Sequence, residues 1–417
     1  MNTPVALYTI AVAAYHAAIR AIAPFHRGAR AWVKGRRGQW KKINAITRDD
    51  RPLVWFHVAS LGEFEQGRPL VEMLRERQPR ARVLLTFFSP SGYEPRKNYP
   101  GADAVFYLPP ESPRNAKRFL QAVRPDVAVF VKYEFWYHYL RALHRAGVPT
   151  YLLSAAFRPS QPFFRPWGAL HRRMLRYFTA ILVQDNHSAR LLRDIGLRDV
   201  SVTGDTRFDR VIAIANAPLA VAPVDRFRDD APLIVCGSTW PADEKLIATV
   251  AARHPSLRWL IAPHQIAPHR LRALRALLGP AAALLSDSSA DLPSCRFLVV
   301  DRLGLLSSLY RHATIAYIGG GFGRGIHNTL EAAVYGLPVL FGPAYQRFGE
   351  AVEMTRLGCA FPVRDARQLD RKITELLSSP TLLARVSQQS ALFVQQHSGA
   401  TLRAFDVIFQ DPAVARP

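Results

Sequence analysis

Acidic residues and cysteines are scarce in this chain, and both shortages narrow the range of functions. Of 417 residues, 32 are Asp or Glu and three are Cys, at Cys236, Cys295 and Cys359. The cysteines lie far apart and form no C-x-x-C pair, which favours buried thiols in a reducing compartment over a disulfide framework. No two aspartates are separated by a single residue, and no His or Cys cluster has zinc spacing. The sequence therefore predicts no D-x-D metal–nucleotide clamp and no metal site.

The shortage of acids leaves a large positive charge. Lys and Arg number 55, which gives a formal net charge of +23. Such a surplus favours polyanionic partners, which include nucleic acid, an anionic membrane face and phosphorylated substrates. The chain has no RNP, zinc-finger or helix-turn-helix signature, so a basic nucleic-acid-binding protein is the weakest of these alternatives.

The N-terminal segment is apolar and then basic. Residues 4–25 form a nearly apolar run that only His16 and Arg20 interrupt, and Thr9 lies on the same side of the helix as these two residues. A helix that spans a bilayer needs about 20 apolar residues, so this run is of marginal length.

From Arg20 to Arg48, both included, there are nine Lys or Arg residues and no acid, with Trp32 and Trp40 among them. This composition predicts a membrane-associated helix, either interfacial or a short anchor. Two alternatives stay open. One is a helix packed on the N-terminal domain, and the other is a cleaved signal peptide, although no basic region precedes the apolar run.

Short apolar runs alternate with stretches of helical length, a pattern typical of parallel strands covered on both faces. The predicted strands are 53–59, 83–88, 104–108, 127–132, 150–154, 180–184, 200–204, 232–237, 257–262, 296–300, 313–320 and 338–342. The pattern predicts an α/β protein with two doubly wound Rossmann-like domains that face a cleft. Ligands bind such sheets at the carboxyl ends of the strands.

The predicted division of the chain has four parts. We expect a membrane-associated helix and basic segment at 1–48, an acceptor-binding domain at 49–207, a linker at 208–230 and a nucleotide-sugar-binding domain at 231–411. The linker is placed where the composition resembles that of a loop and ends in the charged run DRFRDD.

The segment HVASLGEFEQGRPL (57–70) joins a strand to a helix and places Glu63 at the turn. A carboxylate there can simply favour the helix N-terminus. It can also act as a general base, because it is ionised and lies at the edge of the sheet. Glu65 is the nearest competitor, and spacing does not separate the two.

The predicted strand at 313–320 ends in a glycine-rich segment. This segment begins with Gly319, Gly320 and Gly321. Glycines let backbone N–H groups approach a phosphate, and a helix predicted to open near Asn328 would attract anions. Asn328 and Glu331 have the spacing of a capping box. The alternative role for Glu331 is to accept hydrogen bonds from the ribose hydroxyls of a nucleotide.

Other strand ends carry weaker signals. Ser238 and Thr239 follow one strand and are candidates to meet a phosphate or a sugar, and His264 follows another and is a candidate nucleotide contact. In the first half of the chain, Lys132, Arg158 and Arg165 are candidates to face an anionic acceptor.

These motifs resemble those of the Kdo (3-deoxy-D-manno-octulosonic acid) transferases of lipopolysaccharide synthesis. The motifs occur in the same order along the chain, and the resemblance extends from about Pro52 to about Gly358. The matching segments are HVASLGE (57–63), which is similar to H-A-A-S-V-G-E, APH (262–264), which is similar to A-P-R/H, GGGFGRGIHNTLE (319–331), which is similar to G-G-S-F…G-G-H-N-P-L-E, and YQRFGEA (345–351), which is similar to N-F-K-E/D. In the departures, Gly321 replaces a frequent Ser and Thr329 replaces a Pro. KYEFWYH (132–138) resembles E-T-E-x-W-P-N, with Lys132 in place of an acid.

This resemblance implies a GT-B fold, a CMP-Kdo donor, a lipid A precursor (lipid IVA) as acceptor, no metal or cofactor, and inversion at the anomeric carbon. It places the catalytic base on Glu63. It implies an enzyme on the cytoplasmic side of the inner membrane. The implied donor contacts are Pro263, His264, Gly319, Gly320, Gly321, Asn328 and Glu331, to which Ser238 is added from its strand end. The implied acceptor contact is Glu134, to which Lys132 and Arg158 are added as cations that follow strands. Another GT-B enzyme, such as a UDP-sugar transferase or epimerase, is the main alternative.

Overall fold

The computed structural model describes residues 3–46 and 49–410. The basic residue Arg48 and the predicted domain end at position 411 lie outside these ranges. The chain divides into two units. The first contains the residues up to Arg210 together with the segment from Ser398 onward, and the second runs from Val211 to His397.

The first unit is built on a parallel seven-stranded sheet. Its strands are β1 (Leu53–Val58), β2 (Arg82–Phe87), β3 (Ala104–Tyr107), β4 (Val127–Val131), β5 (Thr150–Ala155), β6 (Ala180–Val183) and β7 (Val200–Val202). They lie in the order β3-β2-β1-β4-β5-β6-β7, and every pairing is parallel. The central strands β1 and β4 are buried along their whole length, because uninterrupted apolar runs require cover on both faces.

Helices cover both faces of this sheet. They are α1 (Thr3–Ile22), α2 (Arg27–Arg36), α3 (Gln39–Asn44), α4 (Leu61–Arg77), α5 (Pro90–Arg96), α6 (Pro113–Val123), α7 (Tyr137–Arg145), α8 (Ala169–Leu175), α9 (Asn186–Asp194) and α10 (Thr206–Asn216). One apolar core forms on each face. On one face Trp55 packs against Phe119 and Phe130 at ring-centroid distances of 4.9 and 5.2 Å.

The second unit repeats the plan. Its strands are β8 (Leu233–Thr239), β9 (Arg258–Pro263), β10 (Ala282–Leu284), β11 (Phe297–Val299), β12 (Ile315–Ile318), β13 (Val339–Phe341) and β14 (Ala360–Pro362). The order β10-β11-β9-β8-β12-β13-β14 makes β9, β8 and β12 neighbours. Its helices are α11 (Ala222–Arg228), α12 (Pro241–Ala251), α13 (Pro268–Leu278), α14 (Leu306–Leu309), α15 (Leu330–Ala333), α16 (Gly349–Arg356), α17 (Ala366–Ser378) and α18 (Pro380–Gln396).

The last described helix, α19 (Ala400–Phe409), belongs to the first unit, although 231–411 was assigned to a single C-terminal domain. Asp209 fixes the return of the chain, because its carboxylate accepts the backbone N–H groups of Gly399 and Thr401 at 2.6 Å each. Phe405 and the rest of the apolar face of α19 enter the core beside α4. The unit against which α19 packs is decided by tertiary contacts, so the local sequence gives no signal of it.

The segment 208–230, which was assigned to a linker, is largely helical. The unit boundary after Arg210 falls inside α10. Helix α11 follows, and its Val224 and Phe227 are fully buried. In α11, Asp225 and Arg226 of the charged run are exposed, whereas the apolar Val224 and Phe227 point inward.

Helices α1, α2 and α3, which correspond to the predicted segment 1–48, belong to the first unit and pack against its other elements. Trp32 and Ile43 are buried, and the guanidinium of Arg36 donates a 3.1 Å hydrogen bond to the carbonyl of Leu108. Helix α1 is long and apolar enough to cross a membrane, by length and composition only. Its association with a membrane stays a prediction.

Candidate functional site

At the carboxyl end of β1 the chain turns through Ser60 into helix α4. Glu63 lies in the first turn of this helix, and its carboxylate accepts a hydrogen bond from the hydroxyl of Ser60. The side chain is half-buried. Gly92 packs on this turn, since a Cβ there would lie 2.9 Å from the backbone carbon of Ser60. The turn therefore holds a carboxylate at the edge of the sheet, as the motif predicts.

Glu65, two residues further on, has a different environment. Its carboxylate accepts hydrogen bonds from Arg96 at 2.9 Å and Arg210 at 2.8 Å, and Arg68 lies 3.8 Å away. Burial alone would raise the pKa of Glu65, but the hydrogen bonds and charges of these arginines outweigh it and hold the pKa below its usual value. Glu65 is thus committed to ion pairs, and Glu63 is the better candidate for a base.

Glu134 was predicted to contact the acceptor, but it is buried and already bound. Its Oε2 atom lies 2.8 Å from Nε2 of His57 and accepts a 2.7 Å hydrogen bond from the indole N–H of Trp136. The other ring nitrogen of His57 lies 2.9 Å from the hydroxyl of Thr86. This geometry favours a positioning role for Glu134. No role was predicted for His57, although it begins the HVASLGE motif and is a lone polar residue in an apolar strand.

Lys132 and Arg158 follow neighbouring strands, β4 and β5. Lys132 has a φ of +65°, which is a strained conformation for a non-glycine residue and is typical of functional strand ends. Its ammonium lies 5.5 Å from the ring centre of Tyr133. Arg158 is exposed. The carbonyl of Arg165 accepts a 2.7 Å hydrogen bond from Arg172. Contact of these cations with an acceptor stays a prediction.

In the second unit, three neighbouring strands end in predicted residues. Ser238, the last residue but one of β8, has a φ of +54°, and Pro263 closes β9. The N–H of His264 donates to the carbonyl of Thr239 at 2.9 Å. Gly319 follows β12, and a Cβ there would lie 2.4 Å from the carbonyl oxygen of Ser238. Glycine is therefore required for the close approach of these two strand ends.

Gly321 is equally constrained. A Cβ at this position would lie 2.5 Å from the backbone nitrogen of Gly342, so the serine that is frequent in similar sequences would force a shift of the backbone. Gly320 has a φ of +91° and donates its N–H to Asp243, so this amide is already occupied.

Three rings stack across these strand ends. His264 lies between Trp240, at 4.7 Å, and His327, at 4.5 Å, with interplanar angles of 23° and 25°. The indole N–H of Trp240 donates to Nε2 of His327 at 3.2 Å. Burial lowers the pKa of both histidines, which favours the neutral rings. Trp240 was not predicted, because its partners come from two other strands.

Asp243 is a second residue that the sequence did not reveal. It is fully buried, and its Oδ2 accepts the backbone N–H groups of Gly320 and Trp240 at 2.9 Å each. Its Oδ1 accepts the hydroxyl of Tyr317 at 2.8 Å. One carboxylate therefore ties the start of α12 to the glycine segment after β12.

Asn328 and Glu331 are adjacent, but they do not form the predicted capping box. Asn328 Oδ1 accepts the N–H of Leu330 at 3.1 Å, and its amide donates to Glu331 Oε1 at 3.1 Å. Ser307 donates to the other oxygen of Glu331 at 2.8 Å. Helix α15 is a single turn, so the glycine-segment backbone is a better anion-binding candidate than a helix end.

Within residues 3–46 and 49–410, no three His, Cys, Asp or Glu side chains group as metal ligands would. The three cysteines are free thiols; Cys236 and Cys359 are buried, as expected, whereas Cys295 is half-buried. Thr239 lies beside Ser238, but its hydroxyl is buried and donates to Glu244 at 3.3 Å.

The two parallel-sheet domains define a GT-B glycosyltransferase fold. The structure is similar to that of a UDP-GlcNAc 2-epimerase from Neisseria meningitidis, with a TM-score of 0.62, 15% identity and coverage of 86% of this chain and 100% of that one. MurG from Acinetobacter baumannii gives a TM-score of 0.55 at 14% identity, covering 86% and 99% of the respective chains. At these identities the likeness shows the fold alone.

Sequence relatives define the family. A family model described as 3-deoxy-D-manno-octulosonic-acid transferase (kdotransferase) matches residues 32–210. The chain is 30% identical over 406 residues to a 3-deoxy-D-manno-octulosonic acid transferase of Bordetella pertussis, covering 90% of this chain and 94% of that protein. A transferase of the same description from Aquifex aeolicus is 27% identical over 334 residues, covering 78% and 86%. The chain belongs to the Kdo transferase family, glycosyltransferases of lipopolysaccharide biosynthesis.

Proposed function

We propose that this protein transfers Kdo from CMP-Kdo to a lipid A precursor, lipid IVA, with inversion at the anomeric carbon. The observation that carries the proposal is the difference between Glu63 and Glu65. Arginines surround Glu65, whereas Glu63 holds only the Ser60 hydroxyl among its described contacts. In the reaction the acceptor hydroxyl would lose its proton to Glu63 and form a bond to the anomeric carbon of Kdo, while the bond from that carbon to the CMP phosphate breaks.

The second unit is the proposed donor site. Pro263 and His264 lie on one side of Ser238 and the glycine segment lies on the other, at the carboxyl ends of neighbouring strands. Parallel sheets of this kind bind ligands at that edge. The N–H of Gly319 already donates to the carbonyl of Gly237 at 2.8 Å. The backbone N–H of Gly321 would therefore stabilise the departing phosphate, and no metal or cofactor is invoked.

For the ribose we propose Asn328 and Glu331. The Glu331 carboxylate already accepts from Asn328 and Ser307, so it is held in one orientation. A carboxylate fixed in this way can accept further hydrogen bonds from ribose hydroxyls without losing side-chain freedom on binding.

For the acceptor we retain Lys132 and Arg158 as cations that would meet its phosphates, and we assign Glu134 to positioning. The lipid acceptor and the basic, apolar N-terminal helices support a location at the cytoplasmic face of the inner membrane. Nucleic acid is not a proposed partner.

The decisive experiment incubates the protein with CMP-Kdo and a tetra-acylated lipid A precursor and measures the mass of the product. Transfer should proceed in excess EDTA, and CMP should compete with the donor much better than UDP. A product with no added Kdo, or a preference for UDP, would overturn the proposal. Activity that disappears in EDTA and returns with magnesium would overturn its metal-independent part.

A further inference from the structure

The hydrogen bond between Trp240 and His327 has a direction that the chemistry of the two rings decides. Nε1 of Trp240 lies 3.2 Å from Nε2 of His327. An indole nitrogen carries a hydrogen and can only donate, so Nε2 of His327 accepts and carries no proton. Because a neutral imidazole keeps one proton, that proton resides on the other ring nitrogen, Nδ1.

The charged form of His327 is disfavoured for two reasons. A protonated ring would present a second N–H group to the indole N–H of Trp240, at a nitrogen separation of 3.2 Å. Burial also lowers the pKa of His327, the nearby His264 lowers it further, and the charge of Asp243 does not outweigh these two effects. The ring is therefore neutral at about pH 7, and Nδ1–H is its only N–H donor.

Nδ1 of His327 is open to a ligand. Among residues 3–46 and 49–410, no group forms a hydrogen bond with this nitrogen. Nor is Nδ1 one of the buried polar atoms that lack a partner in that part of the chain, so it reaches the solvent. An accessible N–H group whose ring is fixed at its other nitrogen is a preformed hydrogen-bond donor.

The indole that selects this form of His327 is itself held in place. The backbone N–H of Trp240 donates to Oδ2 of Asp243 at 2.9 Å, and the same oxygen accepts the N–H of Gly320 at 2.9 Å. The ring of Trp240 stacks on that of His264 at 4.7 Å. Backbone and ring are thus both fixed, so little side-chain freedom is lost when a ligand binds beside them.

His327 lies next to both groups of residues that are proposed to hold the donor. Asn328, the following residue, is proposed for the ribose. The N–H of His327 donates to the carbonyl of Gly319 at 3.2 Å, and a Cβ on Gly320 would lie 3.2 Å from Cδ2 of the ring. The glycine segment is proposed for the phosphate, which in a nucleotide is bonded to the ribose. A hydrogen-bond donor on His327 is therefore placed for a phosphate oxygen.

We propose that Trp240 is a positioning residue for the sugar nucleotide: it holds His327 in the Nδ1–H form, and this N–H group donates to the phosphate that departs with CMP. The inference deepens the proposed function and rests on the donor site described there. A preorganised donor stabilises the negative charge that develops on the phosphate oxygen. It also adds a donor where the backbone N–H groups of Gly319 and Gly320 are already occupied.

The first test observes the proton of His327 in the protein without any nucleotide. NMR of the imidazole nitrogens should show Nδ1 protonated and Nε2 unprotonated, with His327→Gln identifying the signals. Trp240→Phe keeps a ring that stacks but removes the N–H donor, so the proton should move at least partly to Nε2. Trp167→Phe, at a side chain of the first unit that is 68% exposed, is the control and should leave these signals unchanged. A proton on Nε2 in the unsubstituted protein would overturn the proposal.

The second test measures the affinity for CMP and for cytidine, which lacks the phosphate. Trp240→Phe should weaken CMP binding by roughly 3- to 10-fold, the usual effect of one hydrogen bond, and cytidine binding by less than about twofold. Because Trp240 is already 37% exposed, the melting temperature should stay close to that of the unsubstituted protein. Equal losses for CMP and cytidine would mean that Trp240 contacts the base or only stabilises the site, and the proposal would fail.

A double-mutant cycle shows whether Trp240 acts through His327. His327→Ala should weaken CMP binding by at least as much as Trp240→Phe, and the combined variant should bind CMP no more weakly than His327→Ala alone. Additive losses would overturn the positioning role. The choice of the unsubstituted protein between CMP and UDP tests the proposed function separately. A preference for UDP would refute that function, whereas the position of the proton on His327 is measured without nucleotide.

Discussion

Nε2 of His57 lies 2.8 Å from Oε2 of Glu134, and both side chains are buried. The pair joins β1, which leads into the turn of Glu63, to the segment that follows β4. Because the same Glu134 oxygen also accepts from Trp136, the carboxylate fixes the position of an aromatic ring at the edge of the sheet. Glu134 therefore has a structural role beside the site, and a direct role of Glu134 in substrate binding is not needed to explain its position.

We expect Glu134→Ala to act mainly on stability. Removing the carboxylate leaves the buried His57 and the half-buried Trp136 without their partner, at a cost of about 1–3 kcal/mol for a fully buried unsatisfied group. The free energy of unfolding should fall, while KM for the lipid acceptor changes little. Arg158→Ala, at an exposed position, is the control and should leave stability unchanged. A higher KM at unchanged stability for Glu134→Ala would restore the acceptor-binding role.

Glu63→Gln should lower the rate of transfer by about 10²–10⁴, the usual contribution of a general base, with CMP affinity and melting temperature retained. Glu65→Gln should show the opposite behaviour, since it weakens the ion pairs with Arg96 and Arg210. Single-turnover rates and thermal unfolding of both variants check this. Near-normal transfer by Glu63→Gln would move the base to another residue.

The two glutamates also show what the sequence could predict and what it could not. The strand, the turn and the sheet-edge position of Glu63 all follow from local pattern. The difference in environment does not, because Arg96 and Arg210 reach Glu65 from 31 and 145 positions away. Such partners exist only after the strands have been assembled, and the same is true of the pairing of Glu134 with His57.

The fold was predictable where a segment is long and apolar enough to be buried on both faces. Strands β10 (AAL) and β14 (AFP) were missed because neither contains a β-branched residue, whereas the equally short β7, β11 and β13 each contain valine. Helix α19 was assigned to the wrong unit. Its apolar face indicates that the helix is buried, but it does not indicate which sheet the helix packs against. The Trp240–His264–His327 stack could not be predicted, since each ring comes from a different strand end.

Asn328→Ala or Glu331→Ala should weaken CMP binding by about 1–3 kcal/mol, because polar groups of the ribose lose their partners. Calorimetric titration with CMP measures this. Ser307→Ala is a useful companion, since it frees one oxygen of Glu331 without removing the carboxylate and should cost less. A lower melting temperature with intact CMP affinity would mean that the pair only stabilises the loop before α15.

The stacked histidines should make the second unit sensitive to acid. Burial lowers the pKa of His264 and of His327, so in acid the unfolded chain binds more protons than the native one. This contribution to stability is complete above the ordinary histidine pKa of about 6.5 and is lost as the pH falls from there toward the lowered values. The melting temperature should therefore drop between pH 7 and pH 5, and His264→Gln should make that drop smaller. An unchanged slope in the variant would contradict this.

Asp243 offers a test of whether the glycine segment must be held in place for donor binding. Asp243→Ala leaves the N–H groups of Gly320 and Trp240 and the hydroxyl of Tyr317 buried without an acceptor. Each such group costs about 1–3 kcal/mol unless the chain moves to expose it. The cheapest movement releases the glycine segment, so CMP affinity should fall together with stability.

Asp243→Asn should be far milder, and the comparison separates geometry from charge. The amide oxygen of Asn can take the place of Oδ2 and accept from both Gly320 and Trp240, while its NH₂ group donates to Tyr317, whose hydroxyl can rotate to accept. We expect Asn to retain CMP affinity within about threefold, at a stability loss on the order of 1 kcal/mol. Thermal unfolding and CMP titration of Asp243→Ala and Asp243→Asn check both expectations. If Asp243→Asn loses CMP binding as severely as Asp243→Ala, the negative charge itself is required. The hydrogen bonds that join the start of α12 to the glycine segment would then not explain the role of Asp243.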